Sequence, residues 1–214
     1  MKHILSVRRL VTAFIFFLLL LLEGCISVPR SPSPHFYTLQ PIKDIDIALA
    51  GANSLSDAVV GIGPVMLPEY LNRPQIATKS GDNTIEFAQF DRWAGSLNEE
   101  IARVIAKNFS ILLPGTGVEI FPWNSIIPVR YQVIMEVIQL DCKLDSDVVL
   151  LAQWSVLDAR EKKMLLLRRS EYRKPVKTRD YPGLVQAVSI ICESLSKEIA
   201  QTLTQLSNQS PPAS

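Results

Sequence analysis

Histidine is almost missing from this chain. Only His3 and His35 occur, both near the N-terminus, so a Ser-His or Cys-His nucleophile pair finds no base in the body of the sequence. Zinc sites built from several histidines or from paired cysteines fail on the same ground, because Cys25, Cys142 and Cys192 stand far apart. That spacing also excludes a C-x-x-C redox pair. Neither G-x-S-x-G nor G-x-x-x-x-G-K is present. Gly61-Ile62-Gly63-Pro64 begins like a dinucleotide loop, but Pro64 follows and no third glycine arrives before Leu67, so it reads as strand punctuation. An excess of one charge is lacking as well, with 22 Lys and Arg against 21 Asp and Glu. Such balance gives no sequence-wide attraction for nucleic acid, which binds through clustered cations that neutralise phosphate. No catalysis, cofactor or metal is expected.

Also lacking is an apolar run long enough to cross a bilayer. The longest, Leu10 to Leu22, is interrupted only by Thr12; a spanning helix needs ~20 apolar residues, whereas a secretory signal needs ~7 to 15. Lys2, Arg8 and Arg9 precede the run and Leu22-Glu23-Gly24-Cys25 ends it, which is the order of an export signal. The last four residues resemble a lipobox, with Leu22 three places before the cysteine, Gly24 one before it, and Glu23 where a small residue is usual. Cysteine is needed there because its sulfur carries the thioether-linked lipid, and glycine lets the backbone fit the peptidase cleft. Residues 1–24 are therefore read as a lipoprotein signal peptide and Cys25 as the lipidated first residue of the mature chain. An ordinary signal peptide fits less well, since no A-x-A-like site follows the leucines, and Arg8-Arg9 alone falls short of a twin-arginine address. Each buried methylene adds ~0.8 kcal/mol, so two or three acyl chains hold a protein stably at a membrane. Without Lys2, Arg8, Arg9 and Glu23, the 22 and 21 charges fall to 19 basic and 20 acidic, a net charge of −1.

Residues 25–35 read as the lipidated cysteine and a proline-spaced tether, I-S-V-P-R-S-P-S-P from Ile26 to Pro34. Alternating prolines forbid a helix, and at ~3.1 Å per residue the stretch spans roughly 28 Å. Residues 36–206 suit a single domain, and 207–214 a polar tail that frays.

Within the domain the hydrophobic period alternates. His35–Leu39 and Ala58–Leu67 read as strands, and Gln75–Lys79 with Thr84–Phe90 as a hairpin about Ser80-Gly81-Asp82-Asn83. Ser96 and Glu99 have capping-box spacing ahead of Leu97, Ile101, Val104, Ile105 and Leu112, a helix stopped by Pro114-Gly115. Strands follow at 118–121, 130–140, 148–157 and 164–172, and the short polar turns between them call for antiparallel pairing. A last helix starts near Asp180-Tyr181-Pro182 and presents Leu184, Val188, Ile191, Leu195, Ile199, Leu203 and Leu206 on one face. No internal repeat stands out. The fold class is α/β (α+β): one domain, a mixed and mostly antiparallel sheet, and two main amphipathic helices.

Few side chains invite a role. Glu99-Glu100 suits a helix N-terminus, and Asp141, Asp145 and Asp147 suit solvated turns, the latter without the glycine and distal glutamate of a calcium loop. Cys142 and Cys192 could form a disulfide in an oxidising compartment or stay as buried free thiols; sheet and helix layers stand ~10 Å apart, against a ~7 Å limit between bridged Cα atoms. Nine cations between Arg160 and Arg179 face only Glu161, Glu171 and no other nearby acid, a pattern that fits either an anionic partner or a solvated, guarded edge strand. Tyr70-Leu71-Asn72-Arg73-Pro74 and Trp93 offer aromatic and arginine side chains for a partner surface or for packing, Pro74 setting the direction of Arg73.

The phrases F36-Y-T-L39, V65-M-L-P-E-Y-L-N-R-P-Q75, R92-W-A-G-S-L-N-E-E-I-A-R-V-I-A106 and F121-P-W123, in this order behind a lipobox, resemble the PqiC family of ABC-type transport auxiliary lipoproteins. The resemblance implies a small periplasmic α/β domain that is neither pump nor ATPase. It would dock, as a single chain or a homo-oligomer, with a tunnel-forming MCE protein and an inner-membrane component in lipid transport. Ile26 after the cysteine is not the retaining aspartate, so the implied location is the outer membrane, periplasmic face. A periplasmic carrier that holds lipid in an apolar cavity is the alternative.

Overall fold

Two strands of 12 residues each, with side chains buried at nearly every second position, form the middle of the protein. The computed structural model describes residues 31–43, 55, 56 and 58–209, together with residue 12 and residues 14–16, which are helical. It divides into residues 1–33 and residues 34–214. Cys25, with the lipobox and residues 26–30 of the tether, lies outside the described residues.

In chain order the second unit contains β1 (His35–Tyr37), β2 (Val59–Met66), a single 3-10 turn (Glu69–Leu71), β3 (Gln75–Ser80), β4 (Thr84–Trp93), α1 (Leu97–Leu112), β5 (Gly117–Ile120), β6 (Tyr131–Cys142), β7 (Asp147–Asp158), β8 (Lys163–Pro175) and α2 (Tyr181–Gln209). The strands form two sheets, ordered β1-β4-β3 and β5-β2-β6-β7-β8. This is the single α+β domain that the sequence implies, with its strands shared between two sheets instead of one. Pro68 and Pro74 bracket the turn after β2, and since proline cannot donate to a ladder, the β3–β4 hairpin does not extend the sheet of β2.

The long pairs β6–β7 and β7–β8 are antiparallel, as their short turns require. The pair of β5 and β6 departs from that rule: each runs parallel to β2, one on either side. Their link, residues 121–130, carries Pro122 and Pro128 and returns the chain past β2, so a connection read as a turn is a crossover. Pairing of β1 with β4 is parallel too. In β2 the register shifts between Ile62 and Val65, where Gly63 takes a φ of 110° that only glycine adopts cheaply.

Apolar residues at helical spacing put Leu97, Ile101, Val104, Ile105, Phe109 and Leu112 of α1 in the core, and Leu184, Val188, Ile191, Leu195, Ile199 and Leu203 of α2 beside them. Trp154, Tyr131 and Phe109 are the largest fully buried side chains. Trp154 Nε1 donates to Ser170 Oγ at 3.1 Å, which satisfies its polar edge.

One helix start differs in detail from its sequence signal and the other agrees with it. Ser96 is the N-cap of α1, yet its side chain makes no cap hydrogen bond. Glu99 instead faces Arg103 at 3.7 Å, so the capping box is not closed. At α2, Asp180 Oδ1 accepts from Gly183 N at 2.8 Å and holds the first turn. That helix continues to Gln209, past the expected boundary at residue 206.

Candidate functional site

The segment that leads into the domain is fastened by three helix side chains. Leu39 N donates to Glu100 Oε2 at 3.3 Å, Gln40 N to Ser189 Oγ at 3.1 Å, and Ile42 N to Asn108 Oδ1 at 2.9 Å. Asn108 Nδ2 in turn donates to Ser196 Oγ at 2.9 Å. Residues 38–42 leave β1 with no strand to pair with among the described residues, and buried backbone donors need partners. Polar side chains that would otherwise be misplaced on apolar helix faces supply them. Sequence reading took Glu100 for a helix-start acid and passed over Asn108, Ser189 and Ser196; their place on the buried faces of α1 and α2 was the available signal.

Beside this clamp a cleft of about 490 Å3 lies between residues 37–43 and the first turns of α2, with Tyr37, Pro41, Pro182, Val185, Gln186 and Ser189 among its walls. Its size is that of small-molecule sites, ~300 to 1,000 Å3. Tyr37 is pushed up to about 12, first by burial and then by its hydrogen bond to Asp91 at 2.7 Å, so it remains a neutral donor.

The residues singled out between β2 and α1 separate into two groups. Leu71 and Trp93 are buried, Trp93 at 4% exposure, and both belong to the core cluster. They cannot touch a partner, and Trp93 packs ahead of α1 as a structural residue. Tyr70 is half-buried, and burial, then the charge of Asp141, raises its hydroxyl above the ordinary value. Arg73 and Pro74 are exposed. The Arg73 guanidinium lies 4.6 Å from the centre of the Phe87 ring, a cation–π contact across the β3–β4 sheet and not a fork to a carboxylate.

Cys142 and Cys192 are free and buried, which sets aside a disulfide between them. Burial pushes each thiol up to about 12, with the charge of Asp141 adding to the effect at Cys142. Asp141 itself accepts from Lys79 Nζ at 2.8 Å and from Gln139 Nε2 at 2.6 Å, a structural role. Among the described residues no group of three or more His, Cys, Asp and Glu could hold a metal ion, and no helix is long and apolar enough to cross a membrane.

The basic run divides along β8. Arg168 turns toward α2, reaching Glu198 at 3.2 Å and Thr202 at 3.3 Å and lying over the Trp154 ring. Tyr172 donates to the same Glu198. Burial alone would raise the Glu198 carboxyl, but these hydrogen bonds and the Arg168 charge outweigh it and hold the group below its ordinary value. On the other face Arg173 pairs with Asp147. The run is thus an edge strand's guard with part of its charge spent internally, not one patch.

Residues 37–200 match the family described as ABC-type transport auxiliary lipoprotein component. No curated protein matches the sequence. Solved structures that share the fold include protein XCC0632 from Xanthomonas campestris, at 10% identity and a TM-score of 0.66 over 82% of this chain and 100% of that one, and an uncharacterized protein at 17% identity and a TM-score of 0.65 over 80% and 99%.

Proposed function

The chain belongs to the PqiC-like family of ABC-type transport auxiliary lipoprotein components, and from that membership we propose that it is a non-catalytic docking subunit of an MCE-type intermembrane lipid transport system. Lipid on Cys25 holds it to the outer membrane on the periplasmic face, and the domain engages a tunnel-forming MCE protein that works with an inner-membrane component. The observation that carries this reading is the family match across nearly the whole domain, behind a sequence with the order of a lipoprotein signal.

The fastening of residues 38–42 suits that role. A docking subunit must transmit its tether to a rigid body, and here the entering chain is bonded to both helices instead of hanging from a loop. Pull-down of the full-length protein in mild detergent is expected to recover an MCE-type protein; failure to recover one contradicts the proposal.

One observation favours a second reading, a lipid carrier: the cleft beside Tyr37 and α2. Native mass spectrometry of a Cys25→Ser chain separates the two. A carrier retains about one lipid per chain, and a docking subunit retains none.

A further inference from the structure

Phe121 to Val129 reads F-P-W-N-S-I-I-P-V and contains no charged side chain, yet most of it is at the surface. Ile126 is 84% exposed and Phe121 49%. The segment is nonetheless firmly built. Phe121 N donates to Ile62 O at 2.8 Å, Ile126 N to Asn124 Oδ1 at 3.0 Å, and Arg130 N to Val59 O at 2.8 Å. Trp123 roofs Gly61 so closely that a Cβ there would stand 2.7 Å from the indole, and it meets Phe121 edge to face at 5.5 Å. A lone exposed isoleucine would need no explanation. An uncharged, aromatic-rich loop held rigid with its apolar tip in water does, because such patches mark contact surfaces.

Cations stand at its foot. Ala159 N donates to Arg130 O at 2.9 Å, which sets the β7–β8 turn beside the loop. That turn bears Arg160 and Lys162, and β8 opens on Lys163 and on Met164, which is 55% exposed. Of its acids, Asp158 turns back to accept from Arg160 N and Glu161 N, at 2.9 and 3.0 Å. The outcome is an apolar tip with a mainly cationic rim.

The loop lies at the opposite end of α1 from β1. Helix α1 begins beside β1, where Ala94 N meets Tyr37 O, and ends beside the start of β2, where Gly117 N meets Ala58 O. Its 16 residues, at ~1.5 Å each, separate those ends by ~24 Å. The chain enters at the β1 end, and Arg130 bonds to Val59 at the other.

The geometry points to a docking surface for a protein partner, one that offers an apolar recess with an acidic rim to Ile126, Phe121 and Trp123. It assigns a surface to the docking role proposed above and rests on that reading for the choice of a protein occupant. The experiment places a photo-reactive benzoylphenylalanine at position 126 of the full-length lipidated protein in cells, with and without Arg160→Glu and Lys162→Asn. Asparagine accepts the left-handed φ of 53° at position 162, so the fold is kept. The expected result is an adduct with another envelope protein whose yield falls at least about tenfold on charge removal. An adduct to lipid, an adduct to a second copy, no adduct, or a yield that ignores the charge change overturns the inference. Mass spectrometry of the adduct then tests the docking role separately: a partner outside the MCE class leaves this surface standing and removes the system proposed for it.

Discussion

Single residues decide how inert the interior is. The two core thiols are buried and pushed up to about 12, so a thiol reagent is expected to label neither in native protein and both in denaturant without reductant; zero labelling in denaturant would mean a disulfide. Tyr131 is fully buried and its hydroxyl has no hydrogen-bond partner among the described residues. An unpaired buried hydroxyl carries a desolvation cost, so Tyr131→Phe is expected to keep or raise stability, by up to about 1 kcal/mol, in a urea titration. Glu198 behaves oppositely. Its folded-state carboxyl is more acidic than its ordinary value of 4.5, so its contribution is complete above that pH and is lost as pH falls through the lower folded value. Glu198→Gln should therefore lower stability at pH 7 and flatten the acid limb of the stability curve. Trp93 shows what one residue cannot reveal in sequence. Its size and place suit a contact surface or a core equally, and only the packing of β1 and α1 around it sends it inward.

Among the elements, those whose signals are local were legible. The apolar stripes of both helices, the hairpin about Gly81 and the alternation of β6 and β7 follow from periods of 3.6 and 2. Pairing across distance was not legible: β1 with β4 and β2 with β5 and β6 are parallel contacts between segments far apart in the chain, and no residue pattern in either partner specifies the other. Glu99 and Ser96 had the right spacing for a capping box, but Arg103 and the entering chain compete for the acids at that helix start. The polar fastening of residues 38–42 was missed because Asn108 and Ser196 look like interruptions of apolar faces until the third partner is in place. Asn108→Ala removes the acceptor for Ile42 N and the donor to Ser196. A cost of about 2 kcal/mol is expected, as for leaving buried polar groups unpaired, with limited proteolysis cutting ahead of β2 sooner than in the parent protein. An unchanged cleavage rate would show that the fastening is not what orders the segment.

At the scale of the domain, β1 lies beside the start of α1 and the apolar, cation-rimmed loop lies toward its end. In the proposed role a body of this kind does no chemistry of its own; it links a membrane anchor to a partner. The anchor is the premise on which that role depends. The most direct measurement is metabolic labelling with a clickable fatty acid, followed by cell fractionation, for the parent protein and Cys25→Ser. The account predicts label and outer-membrane recovery for the parent and neither for the variant. An unlabelled parent chain that stays in the soluble fraction would contradict it.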